Sequence, residues 1–208
     1  MSKPSATATA EPGPAAVPRR RLTPLVLVLA VCLAPVLVAV ALYLNPSWAP
    51  AGAQSYGTLL EPQRPVPPAD ALRLVDLQGR AVDLRDERGQ WLLLTVDGGA
   101  CPESCARKLF MMRQNHASTG KNVVRIERVW LITDDAPVPD AVRTAYEGTL
   151  MLRADAQQVR AFTGSEHPEN HIWIVDPLNN LMMRFPEDPD PIRMRGDLGK
   201  LLFASQVG

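Results

Sequence analysis

Residues 22–44 contain no charged side chain, and the heart of the stretch reads Leu25-Val26-Leu27-Val28-Leu29-Ala30-Val31. A helix has to satisfy its own backbone to cross a bilayer, and about 20 residues rising 1.5 Å each cover a hydrocarbon core of roughly 30 Å. This stretch is long enough. Pro35 lies within it, which membrane helices accommodate because neighbouring groups re-satisfy the freed backbone. Arg19, Arg20 and Arg21 stand just before it, and Tyr43 and Trp48 stand at its far end. That asymmetry predicts a single-pass helix with a cytoplasmic N-terminus and everything after Asn45 on the outer side. A cleaved signal peptide competes, with Ala51-Gly52-Ala53 as its small-residue site, but the apolar run exceeds the ~7–15 residue core of such signals. An uncleaved anchor in the lipid bilayer is therefore the expectation, with Cys32 a plain packing or lipid-facing residue.

The anchor divides the chain. Residues 1–21 are rich in Ala, Pro, Ser and Thr without periodicity and read as a disordered cytoplasmic tail. Residues 45–70, with Pro62, Pro65, Pro67 and Pro68, read as a semi-extended tether. Residues 71–208 carry the folded domain. The 22 basic and 22 acidic residues balance, so nothing marks the chain for nucleic acid. Three cysteines are too few for a disulfide-stapled scaffold, and with Cys32 in the apolar run only Cys101 and Cys105 can act as a pair.

Within the domain, two short apolar segments flank Gln78-Gly79-Arg80 as a hairpin, and residues 91–96 form an uncharged run suited to a central strand. A helix-like segment at 106–114 follows. Strands are expected around Val129-Trp130-Leu131-Ile132 and at 149–152. Helices are expected at 140–147, capped by Asp140, and at 155–162, stopped by Gly164. A closing hairpin spans 171–175 and 181–185, and a last helix covers 198–205. Strands interleaved with helices define an α/β layered domain. Trp91 and Trp130 read as core, as do Met111, Met112, Met182 and Met183, since methionine at helix or strand spacing usually fills gaps. Asp134 and Asp135 end a strand and read as turn caps.

The chemistry concentrates in Gly98-Gly99-Ala100-Cys101-Pro102-Glu103-Ser104-Cys105, between the central strand and its helix. Thiols at a helix start face the positive end of the dipole, which favours thiolate and so either thiol chemistry or binding of a soft metal. A gap of three residues places the two cysteines at i and i+4 on one helical face, about 5–6 Å apart at Cβ. Pro102 suits a first helical position, and Gly98 and Gly99 would let the preceding turn take unusual dihedrals. Glu103 is an anion that opposes thiolate formation while stabilising the helix start. An inert disulfide is the plain alternative in an oxidising compartment.

An N-terminal hairpin, a buried strand, a cysteine at a helix start, βα units and a closing hairpin together look like a thioredoxin-type fold. Cys-Pro-x-x-Cys with the wider gap resembles the Sco/SenC family, membrane-anchored copper proteins that assist assembly of the copper centre of cytochrome c oxidase. The resemblance covers roughly residues 71–205. It implies one copper ion held by Cys101 and Cys105, with a histidine standing before the Asp176-Pro177 turn as third ligand. His171, six residues before Pro177, takes that place, with His167 the alternative and His116 explained by a helix C-terminus. Ala100 and Ala106 depart from the family pattern, so the chain reads as a divergent member. The resemblance further implies a cytochrome c oxidase subunit as copper recipient, and a domain on the periplasmic side of a bacterial inner membrane.

The expected function is a copper-binding assembly factor, a metallochaperone rather than an enzyme, favoured by the wide cysteine gap, the histidine and the anchor. The alternatives are a thiol–disulfide oxidoreductase with Cys101 as nucleophile and Cys105 as resolving thiol, and a non-catalytic interaction module that merely keeps the fold. No Gly-rich phosphate loop, Ser-His-Asp pattern or zinc-type cluster offers another.

Overall fold

The computed structural model describes residues 23–45, 48 and 55–205. The chain divides into two units, Met1–Ala53 and Gln54–Gly208. In the first, helix α1 (Thr23–Leu44) is continuous through Pro35. Its stretch Val26–Leu44 has a mean hydropathy of 2.8 and is long and apolar enough to cross a membrane. Nearly all of its described side chains are exposed, as expected of a helix whose solvent is lipid. The expected tail at 1–21 lies outside the described residues.

The second unit is built on an eight-stranded sheet in the order β1-β8-β7-β4-β5-β6-β2-β3. Its strands are β1 (Thr58–Pro65), β2 (Leu74–Asp76), β3 (Ala81–Val82), β4 (Trp91–Asp97), β5 (Ile126–Ile132), β6 (Thr149–Ala154), β7 (Ile172–Val175) and β8 (Asn180–Arg184). The β4–β5 and β5–β6 pairs are parallel, and every other pair is antiparallel. The uncharged run is thus the centre of the sheet, with β5 and β7 on either side. That is where a strand with both faces buried belongs.

Alternation along β4 sorts the core into two layers. Leu92, Leu94 and Val96 join Trp173 and Val175 on the face covered by α4 (Ala156–Thr163). Trp91 and Leu93 join Ile172, Ile174 and Met183 on the face covered by α2 (Glu103–Ala117) and α5 (Pro191–Ala204). Each fully buried residue of this kind is worth about 1.5–3 kcal/mol, so the two layers supply the main driving force. Met111, Met112 and Met183 lie in the second layer as expected of core residues. Asp155 caps α4 by accepting the Gln157 and Gln158 N–H groups, and Gly164 ends it in the left-handed conformation.

Three boundaries differ from expectation. Part of the tether expected at 45–70 is strand: β1 (Thr58–Pro65) pairs with β8, and the folded unit begins at Gln54 rather than at residue 71. Helix α3 (Asp140–Ala145) is preceded by Pro139 at the cap, and Asp140 instead sits in the first turn, paired with Arg143. Helix α5 starts at Pro191, seven residues earlier than expected, because Asp190 caps it through the Ile192 and Arg193 N–H groups.

Candidate functional site

Strand β4 delivers the cysteine loop to the end of the sheet, and α2 starts immediately after it. Cys101 and Cys105 are joined in a disulfide, their Cα atoms 5.0 Å apart. The geometry differs from two positions on one helical face. Cys101 precedes the helix, with φ at +48°, and only Cys105 lies within α2. Pro102 occupies the cap rather than the first helical turn. Cys105 is fully buried and Cys101 is 9 % exposed, so Cys101 is the more accessible residue of the pair. Both pack with Leu109, Trp130, Ile132 and Met151 on the α2 face, while Glu103 and Ser104 are exposed.

The glycines serve this loop in a way the sequence does not show. Neither Gly98 nor Gly99 takes a positive φ; Cys101 does. A Cβ on Gly98 would lie 2.4 Å from Asp134 Oδ2, and one on Gly99 would lie 2.1 Å from the Ala136 carbonyl oxygen. The loop 134–136 therefore presses directly on the cysteine turn. Asp134 Oδ1 accepts the Gly99 N–H at 2.7 Å and the Ala136 N–H at 3.2 Å. Arg153 braces that loop from behind, donating to the Asp134 and Ala136 carbonyls at 2.7 and 3.1 Å. Asp134 is a turn cap, as expected, and also a strut for the cysteine loop.

A second support was not foreseen. Lys108 pairs with Asp97 Oδ2 at 2.7 Å, each side chain only 12 % exposed. Its ammonium also donates to the Val96 carbonyl at 3.0 Å and to the Glu169 carbonyl, so one cation ties β4, α2 and the turn before β7 together. Its signal in the sequence is a lysine on the stripe of α2 that includes Cys105, Leu109 and Met112, all buried. A cleft of about 150 Å³ opens beside this pair, lined by Ser104, Arg107, Glu169 and Asp188 among others.

The histidines stand elsewhere. His171 Nδ1 is 2.8 Å from the Phe185 carbonyl, which can only accept, so Nδ1 carries the proton and the neutral ring keeps its lone pair on Nε2. The ring meets Trp173 edge-on with centroids 5.5 Å apart. Trp173 belongs to the layer under α4, whereas both sulfurs lie on the α2 side. His167 is largely exposed and approaches Glu169 at 3.1 Å. His116 Nε2 reaches the Val123 carbonyl at 3.0 Å. Among the described residues, no three His, Cys, Asp or Glu side chains stand where they could hold one metal ion. The structure joins Cys101 to Cys105 and does not bring His171 to them.

Residues 91–205 match the model of a family described as the transmembrane-like, thioredoxin-like, C-terminal domain. The chain belongs to that family. No curated protein matches it by sequence. Among solved structures, the chain is similar to apo Sco1 from Thermus thermophilus, with 19 % identity and a TM-score of 0.54 over 74 % of this chain and 99 % of that one. It is similar to yeast Sco1, with 13 % identity and a TM-score of 0.53 over 64 % and 93 %. A thiol:disulfide interchange protein from Bacteroides sp. gives 15 % identity and a TM-score of 0.50 over 69 % and 91 %. Likeness at such identities speaks to the fold. The thioredoxin-like domain and the resemblance to Sco proteins are borne out on that level, and this member of the transmembrane-like family has an apolar helix ahead of its domain that fits a membrane anchor.

Proposed function

We propose that the domain is a thiol–disulfide exchange module, held by α1 on the outer face of a bacterial inner membrane and acting through Cys101 and Cys105. The observation that carries this reading is the closed Cys101–Cys105 bond at the start of α2, with Cys101 the more accessible residue. A thiolate on a partner protein attacks Cys101 Sγ, the bond to Cys105 breaks, and Cys105 leaves as a thiolate that takes up a proton. A second partner thiolate then attacks the mixed disulfide and releases Cys101. The partner is oxidised by two electrons to a disulfide and this chain is reduced to a dithiol; the reverse sequence reduces a partner disulfide. The N-terminal end of α2 favours the thiolate forms on which both directions depend.

The test is a glutathione redox titration of the full chain, followed by partner capture with Cys105→Ser. The expected results are a reversible two-electron transition and a mixed disulfide through Cys101. A bond that stays closed under native conditions in excess dithiothreitol would leave an inert structural disulfide, and the reading would fail.

A second reading has one observation in its favour: reduction of this bond leaves two soft donors on neighbouring backbone positions, 5.0 Å apart at Cα, able to converge on one copper ion. The reduced pair fits copper as a two-sulfur donor set. The Sco resemblance names His171 as the third donor, and in the oxidised chain its ring packs edge-on with Trp173. Delivery of copper to a cytochrome c oxidase subunit rests on the Sco resemblance. Anaerobic Cu(I) titration of the reduced chain and of His171→Ala separates the two readings: tight binding that drops in the variant favours copper carriage, and weak binding indifferent to the histidine favours exchange alone.

A further inference from the structure

Helix α5 has an outer face that the domain does not use. Ile192 is 80 % exposed and Phe203 92 % exposed, among the most open large apolar side chains of the chain. Between them on the same face lie Gly196 and Gly199; at 3.6 residues per turn the four positions fall within an arc of about 60°. A Cβ on either glycine would meet no atom within 4 Å, so nothing inside the domain calls for them. Glycine within a helix is unfavourable relative to alanine, which makes two of them on an open face notable. The stripe is flanked by Arg195 on one side and by Arg193 and Lys200 on the other, all exposed. Asp197, the only acid within the helix, is turned inward and 3 % exposed.

The same helix receives the chain arriving from α1. Asp197 Oδ2 accepts the N–H groups of Tyr56 and Gly57 at 2.5 and 2.9 Å. The Tyr56 hydroxyl accepts the Asp190 N–H at 2.9 Å, and the Arg193 guanidinium lies 4.1 Å over the Tyr56 ring. These bonds fix Tyr56 and Gly57, at the start of the domain's own chain, on α5.

We propose that α5 docks on the anionic surface of the bilayer that holds α1, with Ile192 and Phe203 entering the headgroup layer and Arg193, Arg195 and Lys200 facing lipid phosphates. An apolar stripe edged by cations is the pattern by which helices lie at such interfaces. Lys200 also pairs with the buried Asp197 at 3.2 Å, yet its side chain is 67 % exposed, so its charge still faces outward. A second copy of the chain is the less favourable occupant. Two α5 helices crossing antiparallel at Gly196 and Gly199 would bring the two Arg195 side chains together along one flank and the two Lys200 side chains along the other. The inference rests on α1 being a membrane anchor and not on the chemistry of the cysteines.

The test is amide hydrogen exchange on the full chain in nanodiscs of phosphatidylcholine, with and without phosphatidylglycerol. Residues 191–204 should exchange several-fold more slowly in the anionic discs, and high salt should abolish the difference. Arg195→Gln should weaken docking about fivefold, the worth of one basic residue at such a surface. Ile192→Ser combined with Phe203→Ser should remove the lipid dependence while the disulfide and the core remain formed. Protection of α1 in both disc types, with 191–204 indifferent to lipid, overturns the docking and leaves the anchor intact. Unprotected α1 overturns both. Protection of α5 that needs two chains per disc replaces the bilayer with a second copy, and overturns the proposal.

Discussion

Gly99→Ala is the sharpest probe of the cysteine loop. The added methyl would sit 2.1 Å from the Ala136 carbonyl oxygen, more than 1 Å inside an ordinary contact, and the obstacle is backbone. The loop 134–136 cannot simply yield, because Arg153 holds both the Asp134 and the Ala136 carbonyls. Moving it also gives up the Gly99 N–H bond to the Asp134 carboxylate. A hydrogen bond to a charged group contributes about 1.5–3 kcal/mol, so the expected loss is about 3 kcal/mol once the displaced Arg153 contacts are added. Urea unfolding of the oxidised full chain in mild detergent, followed through the buried Trp91, Trp130 and Trp173, reads this as a midpoint lowered by about 1–2 M. Gly196→Ala is the matched control. The same methyl meets no atom within 4 Å there, and helix propensity should raise stability by about 0.5–1 kcal/mol. A Gly99→Ala protein that unfolds at the wild-type midpoint would falsify the claim that the cysteine loop is wedged against 134–136.

Three further outcomes follow from the same structure. Lys108→Met leaves Asp97 without its partner in a site only 12 % open, at a cost of about 3 kcal/mol by urea unfolding; combining it with Asp97→Asn should restore most of the loss. Burial pushes the Glu127 carboxyl above its ordinary range and the nearby Glu87 adds to this, while the Arg128 backbone N–H and guanidinium oppose it. The folded state therefore holds that proton more tightly than the unfolded chain does. The stability this brings is complete below the unfolded value of about 4.3 and is lost as pH rises through the folded one. Glu127→Gln should raise the melting temperature at pH 7 and merge with wild type near pH 4; no gain at pH 7 refutes it. Asp197→Ala removes the acceptor for the Tyr56 and Gly57 N–H groups, so those two amides should exchange faster while β4 and β5 stay protected; unchanged exchange at both would show that the latch is not there.

Much of the architecture is legible in residue order because local signals and tertiary packing agree. The uncharged run 91–96 is the central strand, Gly164 ends α4 with φ at +62°, and Trp130 is buried at 0 % exposure. Prolines misled the reading of 45–70, because β1 is an edge strand, where a missing N–H on the open side costs nothing. The site was half legible. Spacing found the two cysteines, but the left-handed turn at Cys101 and the wedge of Ala136 against Gly99 depend on a loop 35 residues away in the chain, which no local pattern reports. His171 illustrates the other limit: its distance from Pro177 measures position along the chain, while its ring contact with Trp173 is decided by tertiary packing.

The outermost place of β1 also matters for how this domain is handled. A fragment begun at Ala71, where composition alone would cut, strips β1 away and leaves the free N–H and C=O groups of β8 bare. It also uncovers Met183 and Phe185, against which Gly57 is packed. An unpaired edge beside exposed apolar side chains is a template for recruiting strands from other molecules. Such material should clump, whereas a fragment begun at Gln54 should remain dispersed.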